Sequence, residues 1–116
     1  MSFSSFARKV RDSNRPMKER VWAINSCISA LSFMIRPSYH ELRAKYRPWD
    51  EVEPTEAELL ASLHTLEQLR EQYHIQRNAY IKQRQAEKRE GRRHPQWADY
   101  EAMFDVKIPS DNAAPE

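Results

Sequence analysis

At 116 residues, with 40% of them hydrophobic, the chain suits one small domain with a modest core, because a domain of this size buries only about 65% of the surface its unfolded chain exposes. A single glycine argues against phosphate-cradling loops, tight hairpins and nucleophile elbows, which need positive φ or close backbone approach to a ligand, and so against most enzyme scaffolds. The lone Cys27 leaves no intrachain disulfide framework and no cysteine-ligated zinc site, and the formal charge of +2 does not by itself point to nucleic acid or an anionic membrane.

The charge is unevenly distributed. Residues 1 to 50 carry ten Lys/Arg against four Asp/Glu, and residues 51 to 116 carry nine against thirteen, so the halves stand at +6 and −4. This asymmetry favours an electrostatic fit within the chain or between subunits, or a basic face for an acidic partner.

The elements are helical throughout. A short helix over residues 4 to 12 sets Phe3, Phe6 and Val10 on one side. The stretch 12 to 16, DSNRP, breaks it and offers Ser13 or Asn14 as the next N-cap, with Pro16 tolerated in the first turn. A second helix follows over 16 to 36, stopped by Pro37, which pushes the preceding residue out of the helical region. On a wheel of about 100° per residue, Val21, Ala23, Ile24, Cys27, Ile28, Ala30, Leu31, Met34 and Ile35 fill one half of its circumference, while Asn25, Ser26, Ser29 and Ser32 gather opposite with Trp22 and Phe33. Its uncharged run, 21 to 35, is 15 residues long. A bilayer core needs about 20. The reading is therefore a core helix of a cytoplasmic protein with Cys27 packed inside it, not a membrane anchor and not a signal peptide, since no small-residue cleavage site follows.

Ser38 and Glu41 form a capping box that opens a third helix over 38 to 46, and Thr55 and Glu58 form another that opens a fourth over 55 to 90. That fourth helix, about 35 residues and roughly 50 Å long, exceeds a compact domain of this size, whose radius of gyration would be near 13 Å. It must project, bend, or be covered by another chain. Leu59, Leu63, Leu66, Leu69 and Tyr73 give its first half an apolar stripe, which admits Arg77 and Arg84 beside Tyr80 further on. Alternation of apolar and arginine positions is poor for a tight homodimeric coiled coil. The fold expected is all-α: a small bundle or helical hairpin over 1 to 90 with a projecting helix, a short aromatic helix within 91 to 105, and an extended or disordered tail over 106 to 116.

Two surfaces stand out. Arg77, Lys82, Arg84, Lys88, Arg89, Arg92 and Arg93, with Tyr80 and amide side chains among them and only Glu87 and Glu90 opposing, form a basic helix end that can meet a phosphate backbone, a protein, or only water and the helix dipole. Trp97, Tyr100 and Phe104 fall at i, i+3 and i+7, a spacing that suits a groove-binding helix or a flap sealing the chain's own core. The shortage of apolar residues favours the flap. Glu71 and His74 have the i, i+3 spacing of di-iron bundles, with His64 and Glu67 nearby, yet the second pair and further glutamates of such a site are missing. No nucleophile, base and orienter set surrounds His40 or His94. Neither a catalytic site, a metal nor a cofactor is therefore expected.

A small, glycine-poor, cap-delimited helical protein with a charged tail resembles many phage or mobile-element accessory and assembly proteins, without a diagnostic motif. The leading expectation is a non-enzymatic helical adaptor or assembly factor that binds another protein or a second copy of itself. The alternative is a nucleic-acid-binding protein using residues 77 to 93, and the third a membrane-anchored helical protein using 21 to 35.

Overall fold

The computed structural model describes residues 2 to 49 and 52 to 108. Five helices follow in order: α1 (Phe3–Arg11), α2 (Met17–Ser32), α3 (Tyr39–Tyr46), α4 (Glu56–Arg89) and α5 (Trp97–Ala102). The described residues contain no strand, and the all-α class with one long helix and a short C-terminal one is as the sequence indicates. Three of the helices start at side-chain caps. Ser2 accepts from the Ser5 amide, and both capping boxes, Ser38 with Glu41 and Thr55 with Glu58, are complete.

Helix α2 departs from expectation at both ends. Neither Ser13 nor Asn14 caps it; the Asn14 amide instead bonds Asp12 Oδ1 in an Asx turn, and Pro16 holds the N-cap position with no side-chain bond. At the other end the helix stops at Ser32, four residues short of Arg36. Ser32 Oγ donates to the Ser29 carbonyl at 2.7 Å, and the Arg36 amide donates to the carbonyl of Phe104 at 2.8 Å, a partner far along the chain. Local hydroxyl competition and a tertiary bond thus end the helix before Pro37 can. The unwound turn keeps Ile35 buried and leaves Phe33 86% exposed.

The core is gathered around α2. Ile24, Cys27, Ile28 and Leu31 are fully buried, against Phe3, Ala7 and Val10 of α1, Leu42 and Tyr46 of α3, and the α4 stripe from Leu59 to Tyr73. In α1 it is Ala7 that completes the buried face; Phe6 is only partly covered. The polar side of α2 is also used, since Tyr39 Oη donates to Asn25 Oδ1 at 2.8 Å and holds α3 in place. No helix among the described residues is long and apolar enough to cross a membrane.

Charge fixes how the helices meet. Arg20, only 3% exposed, donates from Nε to the Val10 carbonyl at 2.7 Å and from both terminal nitrogens to the two oxygens of Glu56, at 2.6 and 2.7 Å. Arg11 forms a second bidentate pair with Glu67. Both pairs join a cation from the basic half of the sequence to an acid of α4, so the asymmetry between the halves is in part an intrachain fit. Hydrogen bonding from the guanidinium, aided by its charge, holds the Glu56 and Glu67 carboxyls below their ordinary range.

The far end of α4 does not stand alone. Gly91, at φ +88°, occupies the C′ position: its amide reaches the Lys88 carbonyl at 3.1 Å, and the Arg92 amide reaches back to Glu87 at 2.8 Å. This is a Schellman motif, the one use the chain makes of its only glycine. The chain then runs back along α4, marked by Gln83 with Asp99, Tyr80 with Tyr100 and Tyr73 with Phe104. It re-enters the core at Val106, which is 1% exposed, with Ile108 packed beside it. Residues 106 to 108 are anchored there, outside any helix or strand; the rest of the expected tail, 109 to 116, lies outside the described residues. The long helix is therefore covered on one side by its own returning chain, and the molecule is elongated, with extents of 56 × 35 × 23 Å and a radius of gyration of 17.1 Å.

Replacing Arg20 by Met should lower stability by about 1–3 kcal/mol, chiefly because the buried Val10 carbonyl loses the side-chain donor that meets it. Glu56 and Glu67 have depressed folded-state pKa values, so the stability they contribute is present above the unfolded glutamate value of about 4.3 and is lost as pH falls through the lower folded values. Urea midpoints taken between about pH 6 and pH 3 should fall for the wild type. In a Glu56→Gln/Glu67→Gln protein the fall should be shallower; an identical pH profile would contradict the assignment.

Candidate functional site

The distal half of α4 and the returning segment form a platform. Its spine is an aromatic ladder: Trp97 stacks on Tyr100 at 5.3 Å between centroids, Tyr100 meets Phe104 edge-on at 5.3 Å and Tyr80 at 6.0 Å, and Phe104 stacks on Tyr73 at 6.2 Å. Tyr73 belongs to the core, so the ladder ties the surface to the hydrophobic interior. The three aromatics of the returning segment do not share one environment. Phe104 is partly buried and its carbonyl accepts from the amides of Arg36 and Val106, Tyr100 is at the margin, and Trp97 is 68% exposed. The Arg36 guanidinium adds a bond to the Glu101 carbonyl at 3.2 Å.

Between α4 and α5 lies a groove of about 330 Å³. Ala79, Ala102 and Met103 give it an apolar surface, and Gln76, Gln83 and Asp99 give it polar edges. Gln83 Nε2 donates to Asp99 Oδ2 at 2.8 Å, but Gln76 Oε1 is a shielded acceptor with no donor. Such an acceptor is a place for an incoming N–H, because an unmet carbonyl away from water costs free energy. Tyr80 lines the groove and also belongs to the ladder.

The seven cations of the basic stretch separate into two groups. Arg84 is largely buried, bonded through Nη1 to Glu87 at 2.7 Å and through Nη2 to the Arg93 carbonyl at 3.0 Å, and so fastens the turn after α4. Arg92 pairs with Glu90 at 2.6 Å. These pairs also use both acids of the stretch; hydrogen bonding from Arg84 holds the Glu87 carboxyl below its ordinary range. Arg77, Lys82, Lys88, Arg89 and Arg93 remain on the exposed surface. Arg84 and Arg92 are thus occupied within the chain, the first by an acid at i, i+3 and the second by an acid beyond the regular helix.

Glu67, its side chain one-third exposed, is engaged by Arg11 in a bidentate ion pair, so its carboxylate is already partnered within the chain. No group of three or more metal-capable side chains occurs among the described residues. His40 and His94 are exposed. Burial pushes the Cys27 thiol up to about 12, so it stays protonated, and its Sγ lies 3.9 Å from the Phe3 carbonyl as a core contact. A second exposed tryptophan, Trp22, lines shallow depressions with Trp49 and Val52 on one side and Phe6 and Lys9 on the other, away from the platform.

Comparison with protein families, curated proteins and solved structures finds no match to this chain, so the functional reading rests on the geometry of the platform.

The unequal burial of the aromatics gives opposite expectations for two truncations. Phe104→Ala should destabilise the fold by up to about 3 kcal/mol, below the range for a fully buried aromatic. Trp97→Ala should stay within about 0.5 kcal/mol, as surface changes usually do. Urea midpoints of the two proteins check this, and the reverse order would contradict the ladder as described.

Proposed function

We propose that this protein is a non-enzymatic adaptor or assembly factor that works by binding another protein through the α4–α5 platform. The observation that carries the reading is Trp97: a tryptophan 68% exposed, yet held in a fixed place by a ring stack rooted in the core. Tryptophans that are pre-positioned and solvent-facing are preferred binding anchors, because they bring a large apolar area at little further entropic cost. The neighbouring groove, with its apolar floor and the unmet Gln76 acceptor, suits a peptide segment that supplies an aliphatic side chain and a backbone N–H.

The test is site-directed photocrosslinking in the native cell, with the crosslinking residue placed at Trp97 or Ala79 and, as a control, at the exposed His40. The expectation is one protein adduct of defined mass shared by positions 97 and 79 and missing at 40. Adducts of the same pattern at all three positions, or none at 97 and 79, would overturn the proposal.

A further inference from the structure

The face of α4 that the returning chain leaves open has an order of its own. At about 100° per residue, with Arg77 as origin, Arg77 and Lys88 stand within about 20° of each other on one edge, and Arg89 and Lys82 stand at about 120° and 140° on the other. Between the edges lie Ile81, His74, Gln85 and Asn78, at about 40°, 60°, 80° and 100°. Apart from His74, which is half-buried beside Tyr73, all of these side chains are exposed. The opposite side of the helix, carrying Tyr80, Gln83 and Glu87, is the one occupied by α5 and the turn after α4. Because Glu87 and Glu90 are both held in ion pairs, the unpaired charges on the open face between Arg77 and Arg89 are all positive; the exposed Glu71, at about 120°, stands on the same face just before this stretch.

We propose that this face is a duplex-DNA site, in which α4 from Arg77 to Arg89 lies in the major groove. A major groove about 12 Å wide admits one α-helix. Two cationic edges separated by a polar midline match its geometry: each edge meets the phosphates of one wall, and the midline meets base edges. Asn78 and Gln85 are the side-chain types that bond adenine through paired donor and acceptor, and Ile81 offers a methyl contact to thymine. This also explains an exposed isoleucine within a cationic field, which a purely solvated helix end does not need. The stretch is about 18 Å long, enough for roughly five base pairs. An acidic protein surface would satisfy the cations but would have no use for the amide midline. The proposal is independent of the protein-binding groove, which lies on the other side of α4, and together the two would make the protein an adaptor between DNA and a protein partner.

The test is a salt titration of the full-length protein on a 20-base-pair DNA duplex and on an RNA duplex of the same sequence, with polyglutamate as competitor. Binding to DNA should weaken by about two to three decades between roughly 50 and 200 mM salt, as four or five phosphate contacts require. Arg77→Gln, Lys82→Gln and Arg89→Gln should each flatten the salt slope by about one unit, whereas Arg92→Gln, at a cation already paired with Glu90, should leave it unchanged. Asn78→Ala should keep the slope and reduce discrimination among sequences selected from a random DNA pool. RNA should bind more weakly, since its major groove is too deep and narrow for a helix. The proposal is overturned by no DNA binding at roughly 50 mM salt, by equal affinity for RNA, by an Arg92→Gln effect as large as that of Arg77→Gln, or by polyglutamate displacing DNA at equal charge concentration.

Discussion

A guanidinium cannot be left without partners inside a core, and at Arg20 that requirement decides where three helices meet. The side chain sits one turn before Ile24 on the buried stripe of α2, where an aliphatic residue would continue the core. Its Nε is met by the carbonyl of Val10, near the end of α1, and its two terminal nitrogens by Glu56, the first residue of α4. Glu56 also lies in the acidic first turn that the helix dipole favours. One charged group therefore sets the α1–α2 corner and the starting point of the long helix together. Partnered in this way it is tolerated; deprived of Glu56 it would leave a buried charge unmet, which is far more costly than never having had it.

From that fixed start, α4 outruns its core. The leucine stripe ends at Tyr73, and the remaining turns have no leucines to bury. Their support comes from elsewhere: the single glycine reverses the chain, the Arg84–Glu87 pair and the Arg93 carbonyl fasten the reversal, and the aromatic ladder brings the returning segment back to Val106 in the core. The result is a helix with three different surroundings. Its first half is core, one side of its second half is a platform shared with α5, and the other side is open and cationic.

Much of this was legible in the sequence, for identifiable reasons. The capping boxes at Ser38 and Thr55 are local, three residues wide and independent of tertiary context, and both formed. The apolar half of α2 and the leucine stripe of α4 follow from helical period alone. What could not be read were events that join distant residues. The early end of α2 depends on the Phe104 carbonyl, the engagement of Glu67 depends on Arg11, and the burial of Val106 depends on a reversal of direction at Gly91. Some signals were nevertheless present. Arg20 falls on the Ile24–Ile28–Leu31 stripe when that stripe is extended by one turn, and a lone glycine at the end of a long helix is the sequence mark of a chain about to turn back. The division of the basic stretch into paired and exposed cations was marked only in part: Arg84 stands at i, i+3 from Glu87, whereas the Arg92–Glu90 pair forms beyond the helix end, where helical spacing gives no guide.

Amide hydrogen exchange along α4 tests the separate support of its two halves most directly. Amides of residues 60 to 73 should exchange as slowly as those of α2, through global unfolding, while those of residues 77 to 89 should form a separate unit of intermediate protection, set by the returning segment. Removing the Phe104 ring should speed exchange in that distal unit more than in the proximal one. Uniform protection from one end of the helix to the other, or exchange in residues 77 to 89 as fast as in an unstructured peptide, would contradict a distal half held by its own chain.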